Sequence, residues 1–204
     1  MQSPVVAAVY ERVWRPAFTR LFSLGGGGTA ELHDALLADL ALEGETTLLD
    51  VGCGPGLYTR RLASGLRGDG LAVGVDLSAP MLRRAAADNS GSHIAYVRAS
   101  ALDLPFPDGA FGTVVCLAAL YLIPDPERAV REMCRTAAHD GEVVVFTSLR
   151  TPLSSLPFAE RALAAGGYRL FGRHEVTGWL RAEGLTAIEQ KLSGQGQFIR
   201  ARRA

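Results

Sequence analysis

The stretch "LLDVGCGPGLYTRRLA", Leu48 to Ala63, decides how this sequence is read: strand-forming residues give way to three glycines at alternate positions, then to a helix-like segment. In an open α/β sheet, ligands lie outside the carboxyl ends of the strands, and a Gly-rich turn from strand to helix lets a ligand approach the backbone with no Cβ in the way. Position alone points to a nucleotide-like ligand, and spacing narrows the choice. A dinucleotide fold wants G-x-G-x-x-G, whereas Gly52, Gly54 and Gly56 give G-x-G-x-G, with Leu57 and Tyr58 where a third dinucleotide glycine would come. Pyrophosphate is therefore disfavoured. Asp76, 24 residues past Gly52 and last in the next expected strand, is placed to accept hydrogen bonds from both hydroxyls of an unphosphorylated adenosine ribose.

Outward from that turn, strands and helices alternate. Upstream, Val6, Val9, Val13 and Ala17 with Tyr10, Trp14 and Phe18 predict a helix over 4–22, bent or ended near Pro16 and broken by the tetraglycine at 25–28. Leu32, Leu36, Leu37 and Leu40 predict a second amphipathic helix leading into the strand "TTLLDV", which is apolar enough to be buried on both faces. Downstream, the pattern predicts a helix from about Leu57, strand 71–76, helix 79–88, strands 93–99 and 112–117, helix 126–138 and strand 142–148. Helix 126–138 is the best specified, with Asp125 as N-cap, Pro126 at the first helical position, and Val130, Met133, Cys134 and Ala137 on one face. After a helix at 174–183, "LTAIEQKLSGQGQFIRARR" alternates on either side of a Gly-containing turn, as an antiparallel hairpin does. The sum is a parallel α/β sheet closed by a hairpin.

Whole-chain numbers agree with one such domain. The chain has 204 residues, 48% of them hydrophobic, and its 21 Lys and Arg balance its 21 Asp and Glu. That balance gives no electrostatic pull toward nucleic acid or an anionic membrane. Cys53, Cys116 and Cys134 are odd in number and widely spaced, form no CxxC pair and make no metal-ligand grouping with the histidines; they suit reduced thiols in a cytosol. The longest apolar run, Val114 to Ile123, is shorter than the roughly 17–25 residues of a membrane span, and no signal-peptide pattern opens the chain. A cytoplasmic location is the expectation.

Five ordered segments, "LLDVGCGPG" (48–56), "VGVDLSAPML" (73–82), "LPFPDGAFGTVVC" (104–116), "LIPDPERAVREMCR" (122–135) and the strand after "HDGE" (139–142), resemble the class I S-adenosylmethionine-dependent methyltransferases. Within that class the chain is similar to the small-molecule group that includes ubiquinone and menaquinone biosynthesis methyltransferases. The resemblance implies a Rossmann-like three-layer sandwich with a seven-stranded, mostly parallel sheet whose last strand is inserted antiparallel. It also implies S-adenosyl-L-methionine as cofactor and S-adenosyl-L-homocysteine as product. Carried over by position, Gly52, Cys53, Gly54 and Gly56 pass beneath the methionine part of the cofactor, Asp50 helps hold its amine, and Asp76 grips the ribose. Leu77 and Met81 pack against the adenine, the backbone around Ala101 and Leu102 reads its edge, and Cys116 and Leu117 offer carbonyls to the amine. Ser100 stands where the family often has an Asp that accepts from the adenine amino group, a contact that is weaker here or passes to a residue such as Asp103. The frequent "FD" pair is Phe111 and Gly112 here, which removes a structural carboxylate.

The resemblance divides the single domain into a lid helix and Gly linker at 1–28, a cofactor-binding core at 29–148, a substrate cap at 149–173, and a closing helix and hairpin at 174–204. Tyr121, just past the fourth strand where the family often presents a residue to the acceptor, is the candidate catalytic residue, with Arg150 and Tyr168 as candidates for substrate contact; Tyr121 reads equally well as a core aromatic. Tyr10 and Trp14 form either a lid over the site or plain packing. In the cap, Arg150, Arg161, Arg169 and Arg173 alternate with Phe158, Tyr168 and Phe171, which suits an apolar acceptor pocket with a polar or anionic handle, or else solvated arginines on an amphipathic connection. His33, His93, His139 and His174 read as structural or solvated. Cys53 reads as a small side chain that fits its turn. "CLAALY" (116–121) lacks the Asn/Asp-Pro-Pro-aromatic start of nucleic-acid amino methyltransferases, so the expected partner is a small organic acceptor, with no nucleic acid, no membrane and no metal, acted on by a monomer or homodimer. No general base is evident; in-line methyl transfer can proceed mainly by proximity. Two alternatives stay open: a member of the fold that binds the cofactor without transferring methyl, and a nicotinamide-dependent oxidoreductase. The latter is disfavoured by the glycine spacing and by Ala187, where a Tyr-x-x-x-Lys pair with Lys191 would need tyrosine.

Overall fold

The computed structural model describes Leu40, residues 42–152, Ser154 and residues 168–204. In chain order the elements are β1 (Glu43–Gly44), β2 (Thr47–Val51), α1 (Leu57–Leu62), β3 (Gly65–Leu66), β4 (Leu71–Asp76), α2 (Ala79–Asp88), β5 (Ile94–Arg98), β6 (Phe111–Leu117), a 3-10 turn (Leu120–Leu122), α3 (Pro126–Thr136), β7 (Ala137–Ser148), α4 (Glu175–Ala182), β8 (Leu185–Ser193) and β9 (Gly196–Arg203). The expected helices at 4–22 and before the first strand, and the tetraglycine, lie outside the described residues, Leu40 excepted.

Seven strands form one sheet in the order β5-β4-β2-β6-β7-β9-β8. The first five are mutually parallel, and β9 enters antiparallel between β7 and β8. The order reverses between β2 and β6, which places the topological switch point, the usual ligand position in such sheets, at the carboxyl ends of those central strands. Alternation along each strand sends residues to two apolar layers. Leu49, Val51, Val73, Val75, Val114 and Val145 pack with α3 and α4, while Leu48, Ala72, Val115, Leu117, Val144 and Phe198 pack with Leu62 and Leu66 on the opposite face. This is the Rossmann-like arrangement the motif order implies, with the small β1–β3 pair added at its edge.

Local chemistry explains most boundaries. Asp125 caps α3 by accepting from the Arg128 N–H at 3.1 Å, with Pro126 following it. That helix is two residues shorter than the periodicity predicts, because Ala137 is already extended and pairs with Phe111. β7 accordingly begins before the expected Glu142, and the "HDG" interruption is absorbed by a register shift and by Asp140 at φ 61°. Arg203 at the end of β9 donates to the carbonyls of Cys134, Arg135 and Ala137, tying off the C-terminus of α3.

Candidate functional site

The glycine turn leaves β2 at the carboxyl edge and is pinned to β4 by its own backbone. The N–H groups of Gly52 and Cys53 both donate to the Val75 carbonyl, at 2.8 and 3.0 Å. Gly52, Gly54 and Gly56 all have positive φ, a region open to glycine at little cost. Their surroundings differ. A Cβ on Gly52 would lie 2.5 Å from the Ala119 Cβ, and one on Gly56 would overlap the Tyr96 hydroxyl, but a Cβ on Gly54 would meet nothing within 4 Å. Two glycines are thus required by the protein's own packing, and the third faces open space.

Two carboxylates stand under and beside this turn. Asp76 ends β4, half-buried, and accepts from the Gly54 N–H at 2.9 Å through one oxygen and from the Ser78 N–H at 2.7 Å through the other. With the Leu77 N–H as a further backbone donor, up to three of the roughly four acceptor sites of the carboxylate are used, which leaves room for a ribose hydroxyl. Burial pushes its pKa up, against the lowering effect of these backbone donors. Asp50, in β2, is fully enclosed and accepts from the Thr59 hydroxyl at 2.6 Å; burial raises its pKa to about 6, with the nearby Asp76 charge adding to the rise. Cys53 is buried beside them, and burial drives its thiol far above the usual range, so no reactive thiolate forms there.

The other cofactor-side residues surround the same edge. Met81 is buried in the first turn of α2, while Leu77 is 56% exposed at the rim. Ser100 accepts from the Leu102 N–H at 3.1 Å and bridges to Asp103, closing a tight turn that contains the half-buried Ala101 and Leu102. Cys116 and Leu117 are buried at the end of β6, and burial lifts the Cys116 thiol to about 12. Just beyond, Ala118 holds φ 60°, an unfavourable setting for a residue with a Cβ, and Ala119 closes over Gly52.

On the side of β7, Tyr121 is buried and stacks on Tyr168 with ring centroids 5.3 Å apart. Arg150 donates to the Leu170 carbonyl, while Arg169 pairs with Glu175 at 2.6 Å and lies over the rings of Phe171 and Trp179. Both arginines are engaged within the fold. His93 Nδ1 lies 2.9 Å from the Gly70 carbonyl, and His139 pairs with Asp140 on the exposed surface. Tyr10, Trp14, His33, Phe158 and Arg161 lie outside the described residues. Among the described residues, no three His, Cys, Asp or Glu side chains gather as a metal-binding group, and no helix is long and apolar enough to cross a membrane.

A family model described as a methyltransferase domain matches residues 49–145, from the glycine strand through β7. A phosphatidylethanolamine N-methyltransferase of Cereibacter sphaeroides is 31% identical over 76% of this chain and 79% of its own length. The chain belongs to the methyltransferase domain family. An uncharacterized chloroplastic methyltransferase of Arabidopsis thaliana is 35% identical over 97% of this methyltransferase, which spans only 57% of that relative's length. Among solved structures, a phosphoethanolamine N-methyltransferase 2 of Haemonchus contortus in complex with S-adenosyl-L-methionine superposes with a TM-score of 0.74 at 15% identity, covering 97% of this chain and 59% of that one. By sequence the chain is a methyltransferase domain, and its fold is similar to that of a methyltransferase solved with S-adenosyl-L-methionine bound.

Sequence reasoning missed several residues that shape this methyltransferase's site. Thr59 had no signal beyond its place on a helix face, yet it is the direct partner of Asp50. Ala119 and Tyr96, which force two of the glycines, come from distant strands and turns. The fully buried Thr147, whose hydroxyl has no hydrogen-bond partner, looked like any strand residue.

Proposed function

We propose that this chain binds S-adenosyl-L-methionine across the 52–56 turn and transfers its methyl group to a small organic acceptor. The observation that carries the reading is the Asp76–Gly54 contact: one carboxylate fixes the turn and retains acceptor capacity for a ribose, beside a glycine whose Cβ side is open. When bound, the sulfonium supplies an already activated methyl group, and what remains for the protein is orientation and exclusion of water. Gly52, Cys53, Gly54 and Gly56 carry the methionine portion, Asp50 favours its ammonium, and Asp76 holds the ribose through a hydroxyl. Leu77 and Met81 flank the adenine, with Ser100, Ala101 and Leu102 at its edge and Cys116 and Leu117 at the amine. The acceptor's lone pair approaches from the β6–β7 side, past Tyr121 and Tyr168, and its proton leaves to solvent. The two N-methyltransferases similar to this chain are named for acceptors that carry an ethanolamine amine, which favours a nucleophilic heteroatom on the acceptor.

Calorimetric titration with S-adenosylmethionine, S-adenosylhomocysteine and NADH tests this directly. Both sulfur nucleotides bind, and Asp76→Ala weakens them by roughly 10- to 150-fold, as expected for losing hydrogen bonds to a charged acceptor. Binding of NADH alone, or of none of the three, overturns the reading.

A further inference from the structure

The 52–56 turn is held on one side by β4, and its far end is held by two residues that no sequence motif singles out. Asn89, the C-cap of α2, is buried and donates its side-chain amide to the Pro55 carbonyl at 2.8 Å. Tyr96, in the middle of β5, donates its hydroxyl to the Asn89 carbonyl at 2.8 Å, and the same oxygen lies 3.5 Å from the Gly56 carbonyl. The Tyr96 ring fills the space that side chains at Gly56 and Gly74 would occupy. A continuous line therefore runs from Tyr96 through Asn89 to the Pro55 peptide.

We propose that Asn89 and Tyr96 are positioning residues for the glycine turn, setting the height of the Pro55–Gly56 peptide and so part of the affinity for the cofactor, without touching it. The inference rests on the cofactor reading above. Its physical basis is a short accounting of the turn. In the Pro55–Gly56 peptide the Gly56 N–H is spent locally on the Cys53 carbonyl at 3.0 Å, and Pro55 itself has no N–H to offer, so the Pro55 carbonyl is the group that ties this peptide to α2. With the Asn89 side chain removed, this end keeps bonds within its own turn and helix and the long 3.5 Å contact from Tyr96 to the Gly56 carbonyl. A loop that must be ordered by its ligand binds more weakly than one ordered beforehand.

The test is calorimetry with S-adenosylhomocysteine on the whole chain, alongside Tyr96→Phe, Asn89→Leu and the double variant, at a temperature well below every melting transition. Tyr96→Phe keeps the ring under both glycines, so it is the variant that folds most securely. Each single variant is expected to raise Kd about 3- to 10-fold. The double variant falls short of the product of the two, because Tyr96 acts in part through Asn89. Variants that melt earlier but bind as tightly as the wild type overturn the inference and leave the cofactor reading standing. A wild-type chain that fails to bind S-adenosylhomocysteine overturns both.

Discussion

The β2–β4 edge and the β7 edge of the same sheet are built on opposite terms. At the first, backbone N–H groups of the turn are fixed by the Val75 carbonyl and Asp76, Gly54 leaves its Cβ side bare, and the carboxylate keeps some acceptor capacity in reserve. At the second, polar groups are spent on the fold itself: the Ser148 hydroxyl donates to the Arg169 carbonyl at 2.6 Å, Arg150 to Leu170, and Gln197 to Ser148. An unvarying ligand demands fixed residue types at fixed spacing. An acceptor that differs between relatives does not, and the second edge is correspondingly free to pack against its own chain.

The sharpest way to break that contrast lies within the three glycines. Gly52→Ala combines a left-handed backbone with a 2.5 Å approach to the Ala119 Cβ, and is expected to cost about 2–5 kcal/mol and abolish cofactor binding. Gly54→Ala meets no protein atom within 4 Å, so only the backbone term of about 1–2 kcal/mol applies to stability. Its effect on S-adenosylhomocysteine is nonetheless expected to be roughly tenfold or more, because the new methyl occupies the ligand's side of the turn. Urea melts and calorimetry on both variants decide the matter. If Gly54→Ala binds as the wild type does, the open face is not where the ligand lies.

The same contrast explains what the sequence disclosed. Gly52, Gly54, Gly56 and Asp76 are legible as a turn because positive φ and a carboxylate at a strand end are local features of the sequence. Asp125 is legible because capping is local. Thr59, Asn89 and Tyr96 are not, since their roles depend on which helix face and which register bring them to the turn, and that is settled by long-range packing. The start of β7 escaped for a similar reason: "AAHDG" has no strand pattern, and only pairing of Ala137 with Phe111 extends it.

Asp50 sharpens the comparison through pH. Its carboxyl titrates near 6 in the folded protein against an ordinary 3.8, so the folded state holds that proton more tightly than the unfolded chain does. The stabilisation is fully present below about pH 4 and is lost as pH rises through about 6, by roughly 3 kcal/mol. Asp50→Asn keeps a partner for Thr59 and removes the titration. Relative to this variant, the wild type is expected to lose stability between pH 4.5 and pH 7.5 in urea denaturation. Parallel profiles would show that the buried charge costs the fold nothing, and that the site's carboxylate is not held at the fold's expense.

At the other edge, Thr147 offers the smallest effect and the reverse sign. It is fully buried at the carboxyl end of β7, beside Ser148 and paired across to Gln197, and its hydroxyl has no partner. A buried hydroxyl left unbonded costs about 1–3 kcal/mol, whereas Val of nearly equal shape carries no such penalty. Thr147→Val is therefore expected to raise stability, by about 1 kcal/mol, in the same urea melts, with S-adenosylhomocysteine binding unchanged because β7 lies away from the glycine turn. A loss of stability would mean that the hydroxyl is paired in solution and that this edge is as fully committed as the other. A gain would mark Thr147 as a buried polar group that the fold leaves unspent at the β7 edge.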